Sequence, residues 1–162
     1  MQKTLVAYGT RIGATANTAA VIADVLQNKF DLVVDVINLG KVRRIDLTQY
    51  QNIIIGSSIV ANRWTNRAKN FLKKDFSNKR VIVFVSAAGT LNRAAENGLS
   101  IEEAVTEAIT KYIDNVIPSN IEPIAKMAFG GRMIFFGKEK YNNWNRDTIA
   151  SWAEEVGRYL TA

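Results

Sequence analysis

Apolar residues fall along this chain in two alternating rhythms. Short runs rich in β-branched residues are separated by longer stretches whose apolar positions recur every three or four residues. Leu5 to Tyr8 reads as a strand that stops at Gly9-Thr10. From Thr15 to Leu26 the pattern turns helical, with Ala19, Ile22, Val25 and Leu26 able to share a face. Leu32 to Ile37 and Asn52 to Gly56 read as the second and third strands; the latter is nearly all isoleucine, as a strand buried on both faces would be. Trp64, Ala68, Phe71 and Leu72 give a helical stripe, and Val81 to Ser86 a fourth strand. Ser100 and Glu103 have the spacing of a capping box. They open a helix whose apolar positions run from Ile101 to Val116, closed by Pro118. Ile124 to Phe129 is the fifth strand, and Ile149, Trp152, Ala153, Val156, Tyr159 and Leu160 mark a last helix.

Strands alternating with helices imply parallel strands joined by right-handed crossovers. The expected architecture is a doubly wound α/β fold. Five parallel strands take the order 2-1-3-4-5, with helices on both faces. Residues 1–162 fit one domain, without repeat, linker or low-complexity segment. In such sheets a ligand sits at the carboxyl ends of the strands, where the strand order reverses. The loops after strands 1, 3 and 4 are therefore the candidate site.

Composition narrows the chemistry. The chain has no Cys and no His. Disulfides, thiol nucleophiles, iron–sulfur clusters, thiolate zinc sites and Ser–His hydrolysis are excluded. Carboxylate or lysine chemistry, an oxygen-ligand metal, or a bound cofactor remain. No residue set reads as a metal site. The opening apolar run is too short for a signal-peptide core, and the runs at Ile53–Ile55 and Val81–Val85 are far below the roughly 18 residues that span a bilayer. A cytoplasmic location is expected.

The loop after strand 1 is Gly9-Thr10-Arg11-Ile12-Gly13-Ala14-Thr15, and it opens a helix. Unpaired N–H groups at a helix N-terminus favour an anion, glycine allows close backbone approach, and threonines add hydroxyls. A phosphate is the natural guest; an ordinary strand-to-helix turn capped by Thr is the alternative. The loop is neither a Walker A loop nor the GxGxxG fingerprint.

Thr-x-x-Gly-x-Thr between strand 1 and helix 1 resembles the FMN-phosphate loop of flavodoxins. Ile12 stands where flavodoxins carry a hydroxyl residue, which removes one side-chain donor and leaves the backbone N–H groups. The loop also resembles the Ser/Thr-Thr-Arg-x-Gly-x-Thr of flavodoxin-like, menaquinone-dependent protoporphyrinogen oxidases and their relatives. Ile55-Gly56-Ser57-Ser58-Ile59 is similar to their Ile-Gly-Ala-Ser-Ile after strand 3. Phe129-Gly130-Gly131-Arg132 is similar to a Gly-Gly/Ala-Arg/Leu stretch after strand 5.

This resemblance implies FMN as cofactor and gives each loop a role. Thr10, Arg11, Ile12, Gly13, Ala14 and Thr15 would hold the phosphate. Ser57, Ser58, Ile59, Val60 and Asn62 would cover one face of the isoalloxazine; Trp64 is read either as a ring contact or as core. Ser86, Ala87, Ala88, Gly89 and Thr90 would read the pyrimidine edge through backbone donors. The stacking aromatic usual in flavodoxins has no counterpart between Ser86 and Ser100. The long connection from Phe129 to Trp144 is aromatic and basic, fitting a lid, a partner surface or a cover for the sheet edge.

The net charge of +6 is uneven. Arg63, Arg67, Lys69, Lys73, Lys74, Lys79 and Arg80 crowd one segment against Asp75 alone. A solvated helix face is the plain reading; an anionic substrate, an acidic redox partner or an anionic membrane surface are the functional ones. No recognition motif accompanies the charge, so nucleic acid is not expected. The oxidase resemblance implies a protoporphyrinogen substrate and a quinone acceptor at the membrane surface. The functional expectation is thus an FMN oxidoreductase. A flavodoxin-type carrier without its own substrate, or a scaffold that has lost FMN, are the alternatives. A response regulator is excluded, because Gly56-Ser57 stands where a phosphoacceptor Asp is needed.

Overall fold

The computed structural model describes residues 2–162. Its strands are β1 (Lys3–Gly9), β2 (Val33–Asn38), β3 (Asn52–Val60), β4 (Arg63–Trp64), β5 (Arg80–Ser86), β6 (Ala125–Phe129), β7 (Arg132–Phe135) and β8 (Lys138–Asn142). Its α-helices are α1 (Ala14–Phe30), α2 (Asn66–Phe71), α3 (Ala88–Glu96), α4 (Ile101–Ile109) and α5 (Arg146–Thr161). The main sheet runs β2-β1-β3-β5-β6, all parallel, which is the expected order with β4 inserted as a short antiparallel partner of β3.

Alternate residues of the central strands face opposite layers. Val6, Ile54, Ile82 and Phe84 pack against α1 and α5. Leu5, Ile53, Ile55, Val81 and Val83 pack against α2, the α4 region and the segment after β2. Ile53, Ile54 and Ile55 are all fully buried, each worth about 1.5–3 kcal/mol. That is why a nearly pure isoleucine run sits at the sheet's centre. Among the described residues, no helix is long and apolar enough to cross a membrane.

Five features depart from the expected pattern. Helix α1 continues to Phe30, whose ring fills the space left by Gly157 on α5. Strand β3 runs on past Gly56 to Val60 and turns back through Ala61 and Asn62, both at positive φ, into β4. Trp64 thus belongs to a strand and not to the helix whose stripe it seemed to head. Residues 88–96 form a helix where a loop was expected, and Arg132 to Asn142 form a hairpin. Helix α4 gives way at Thr110 to a wider π turn, with Asn115 N–H bonded to the Thr110 carbonyl at 3.1 Å.

Tyr50 closes the β2 side of the sheet. It is 3% exposed, and its hydroxyl donates to Asp35 Oδ2 at 2.6 Å. Burial first, and then that carboxylate, push the phenol up to about 12. The same bond, with Lys3 beside it, holds Asp35 below the usual carboxylate range. A raised phenol stabilises the fold below its unfolded value near 10 and loses that contribution as pH rises toward 12. A depressed carboxylate stabilises above about 3.9 and loses its share as pH falls through the lowered value. Tyr50→Phe is therefore expected to flatten the alkaline fall in stability and weaken the acid one, read as urea midpoints across pH.

Candidate functional site

Three helices carry the side-chain cap that physics prefers: Thr65 on α2, Ser100 on α4 and Asn145 on α5. The other two, α1 and α3, have none. These two start at the carboxyl ends of β1 and β5, and they converge. A Cβ placed on Gly131 would lie 3.6 Å from the Ala14 Cβ and 3.5 Å from the Ala88 Cβ. Unpaired N–H groups of two helices therefore point at one small region, where their dipoles add.

The loop before α1 is prefolded. Gly13 takes φ 93, which favours glycine, and its N–H donates to Thr10 Oγ1 at 3.0 Å. Thr15 is fully buried and its hydroxyl donates to Ser86 Oγ at 3.0 Å, tying the loop to the end of β5. The Thr15 hydroxyl thus sets the loop's position, while the backbone remains the donor set. Thr10, Ile12, Ala14 and Thr15 line a cavity with Ser58, Ile59, Val60, Ser86 and Ala88. Ser58 Oγ is, with Asn52 Oδ1, one of two buried side-chain polar atoms without a partner among the described residues. A buried orphan hydroxyl costs about 1–3 kcal/mol unless something binds it.

The sequence-derived residues divide. Thr10, Ile12, Ala14, Thr15, Ser58–Val60, Ser86 and Ala88 meet at the cavity, and Gly13 shapes the turn between them without lining it. Asn62, Ala87, Gly89 and Thr90 line an adjoining hollow that shares Ile59 with it. Three stand apart. Arg11 is exposed and lines neither space. Ser57 is turned the other way: its hydroxyl accepts from Thr65 N–H at 3.0 Å and donates to the Ser58 carbonyl. Trp64 is 4% exposed, with its indole N–H donating to the Tyr112 carbonyl at 2.7 Å, so it packs as core.

The hairpin supplies what sequence reading missed. Met133 lines both the cavity and the hollow, and Tyr141 lines the hollow opposite Ile59. A Cβ on Gly89 would come 3.0 Å from the Tyr141 hydroxyl, so that glycine makes room for it. Burial raises the Tyr141 phenol above its ordinary value. Tyr112, from the π turn, forms the floor of the hollow: its hydroxyl bonds Asn62 Oδ1 at 2.7 Å and Thr90 Oγ1 at 2.8 Å. No aromatic stands between Ser86 and Ser100, and residue 141 brings one to the hollow.

The hairpin is clamped at its base. Asn143 Oδ1 accepts from Gly131 N–H at 2.8 Å, its Nδ2 donates to the Ala88 carbonyl at 3.0 Å, and its N–H donates to the Gly131 carbonyl at 2.9 Å. Trp144 Nε1 donates to Thr18 Oγ1 on α1 at 2.9 Å. In this closed arrangement the cavity holds about 20 Å³ and the hollow about 100 Å³. Asn143→Ala removes the clamp and leaves the Gly131 N–H without its side-chain partner. It is expected to lower stability by about 1–3 kcal/mol and to speed amide exchange in β7 and β8 more than in the central strands.

The family model for the Flavodoxin domain matches residues 5–158. No curated protein matches the chain. Among solved structures it is similar to flavodoxin 2 from Bacillus cereus, with 20% identity, TM-score 0.58 and coverage of 97% of this chain and 99% of that one. Flavodoxin 1 from the same organism gives 16% identity and TM-score 0.57, covering 98% and 99%. Rubredoxin oxygen:oxidoreductase from Desulfovibrio gigas gives 13% identity and TM-score 0.59. There 99% of this chain covers only 36% of the larger protein. At these identities the solved structures establish the fold. The cofactor that the family match implies is FMN, and the donor set fits its phosphate: two uncapped helix N-termini and an orphan buried hydroxyl.

Proposed function

From the premise that this chain belongs to the flavodoxin domain family, we propose that it is an FMN-dependent electron-transfer protein. The observation that carries this reading is the convergence of the α1 and α3 N-termini beside the unpartnered Ser58 hydroxyl. Backbone N–H groups at Ala14–Thr15 and Ala88–Gly89 would hold the phosphate, and Ser58 would complete its shell. Ile59, Met133 and Tyr141 form the walls that enclose the ring. The bound flavin supplies the redox chemistry, taking up and releasing one or two electrons, which suits a chain with no Cys and no His.

A hollow of about 100 Å³ is well under the roughly 300 Å³ at which small-molecule pockets begin. Loading therefore displaces Met133 and the hairpin outward, against the Asn143 clamp. Oxidation of protoporphyrinogen, with a quinone as acceptor, rests on the sequence resemblance alone. Arg93 lines the hollow and Lys111 lies 3.5 Å from Asn62 Oδ1, so positive charge near the ring raises its reduction potential relative to acidic flavodoxins.

The deciding experiment is titration of FMN into the purified protein, followed by quenching of flavin fluorescence. Saturation at one FMN per chain, and a flavin that cycles with dithionite and a one-electron acceptor, support the proposal. Failure to take up FMN at micromolar concentrations overturns it. Turnover of protoporphyrinogen with a quinone would replace the carrier reading with the enzyme one.

A further inference from the structure

The basic segment has no role in the flavin site, and the structure shows what it builds. A cleft of about 420 Å³ lies between α2 and the stretch after β2. Its floor is apolar: Leu39, Val42, Ile45 and Phe71. Four cations rim it, Arg43 from one side and Arg67, Lys73 and Lys74 from the other. All four are exposed, and among the described residues none has an acidic partner within salt-bridge distance. The nearest acids in sequence are occupied. Asp46 accepts from the N–H and hydroxyl of Thr48, and Asp75 does the same for Ser77.

One side of the cleft is an irregular segment, from which Val42, Arg43 and Ile45 line it. Residues 42–46 have no regular structure, and the N–H groups of Arg43, Arg44, Ile45 and Asp46 bond no group of the described chain. Val42 is 39% exposed, a large aliphatic side chain left beside water. The cleft thus combines unpaired cations, an aliphatic floor and a run of free main-chain donors. It also opens near the carboxyl ends of the strands. Leu39 N–H donates to the Tyr8 carbonyl, and Arg67 sits two residues past Thr65, which packs against Gly9.

We infer that this cleft is a docking site for an acidic protein partner, which lays an extended segment along residues 42–46 and seats an aliphatic side chain on the Leu39–Phe71 floor. Carboxylates on that segment meet Arg43, Arg67, Lys73 and Lys74, while main-chain pairing sets its register. Nucleic acid fits less well: the one aromatic ring of the cleft, Phe71, is 3% exposed and offers no face for a base. A membrane fits less well too, because the apolar surface lies at the bottom of a concave cleft and cannot reach a flat bilayer. The inference does not depend on FMN.

The test uses a fluorescein-labelled peptide of alternating glutamate and leucine, with three comparison probes: an all-glutamate peptide, duplex DNA of matched charge and phosphatidylserine vesicles. The expected result is binding of the Glu–Leu peptide that weakens about tenfold or more in the full-length variant Arg43→Glu/Lys74→Glu. Arg67→Gln/Lys73→Gln should weaken it by a smaller factor, and Lys138→Glu/Lys140→Glu on the hairpin should leave it unchanged. Equal affinity in the cleft variants overturns the inference, as does equal or tighter binding of the all-glutamate peptide, the DNA or the vesicles. FMN uptake and thermal midpoint, measured on the same variants, should match the wild type; a variant that loses the peptide but keeps FMN separates this inference from the flavin reading.

Discussion

Replacing Gly131 by Asp is expected to remove FMN binding and leave the fold intact. The new Cβ would sit 3.5 Å from Ala88 Cβ, 3.6 Å from Ala14 Cβ and 3.8 Å from Ser86 Cβ, which are ordinary contact distances. Gly131 does not have a positive φ, so a side chain brings no backbone strain there. The carboxylate arrives among the free N–H groups of α1 and α3, in the place assigned to the phosphate. It would satisfy them itself, and an anion at a helix N-terminus is worth about 0.3–2 kcal/mol to the folded state. The same anion repels and displaces the phosphate, so affinity should fall by about a hundredfold, or about 2.7 kcal/mol. Asn at the same position is the control: similar in volume and uncharged, it should cost much less affinity. Fluorescence titration and thermal melting together read the result. Wild-type affinity in Gly131→Asp would show that the phosphate site lies elsewhere; a large loss of stability would show that the two N-termini are already satisfied.

The parallel sheet was readable because each central strand is buried on both faces, so its residues are apolar without interruption. Ile53–Ile55 and Val81–Val85 admit no other reading at that length. The place of the first loop was readable for a related reason: a glycine and threonines between an apolar run and a helical stripe mark a strand-to-helix turn, where Gly13 takes the positive φ that favours glycine. Helix α3 was hidden because it packs through small residues. Its buried positions are Ala88 and Ala94, so it presents no stripe of large side chains. Trp64 misled because β4 and α2 are nearly adjacent, and its phase matches the stripe of Ala68 and Phe71 by coincidence. The hairpin was least legible. Its strands carry charge and exposed aromatics, with Phe136 fully exposed at a turn that puts Phe136 and Gly137 at positive φ. Nothing local announces that Tyr141 and Met133 reach a site built by residues from Thr10 to Tyr112. Contacts set by the return path of the chain leave no periodicity to read.

Gly56→Ala should produce one of the larger losses of stability that a single added methyl group can cause in this protein. Gly56 lies opposite Phe84 in the β3–β5 pair, and a Cβ there would fall inside the edge of the Phe84 ring. That ring cannot easily move aside. It stacks edge-on against Phe129 at 6.0 Å and Trp152 at 6.4 Å between centroids, and those two rings contact each other at 5.4 Å. Phe84 is fully buried, so the overlap must be relieved by shifting the aromatic cluster or parting the strands. Overpacking of this kind costs about 1–3 kcal/mol, and a rigid aromatic neighbour puts it at the upper end. A domain of this size would then melt about 6–12 °C lower. The cause is tested by its remedy. Phe84→Leu alone leaves a void and destabilises; on that background the added methyl group occupies space the ring has vacated. The two changes should therefore cost less together than the sum of the two singly, with a coupling of about 1–2 kcal/mol. Simple additivity would place the cost in the strand backbone and not in the ring. FMN affinity should stay within a few fold of wild type in the double variant, because the phosphate cradle is tied by side-chain hydrogen bonds of Thr15 and Asn143, and Ser86, although it is the strand partner of Phe129, turns its hydroxyl to Thr15.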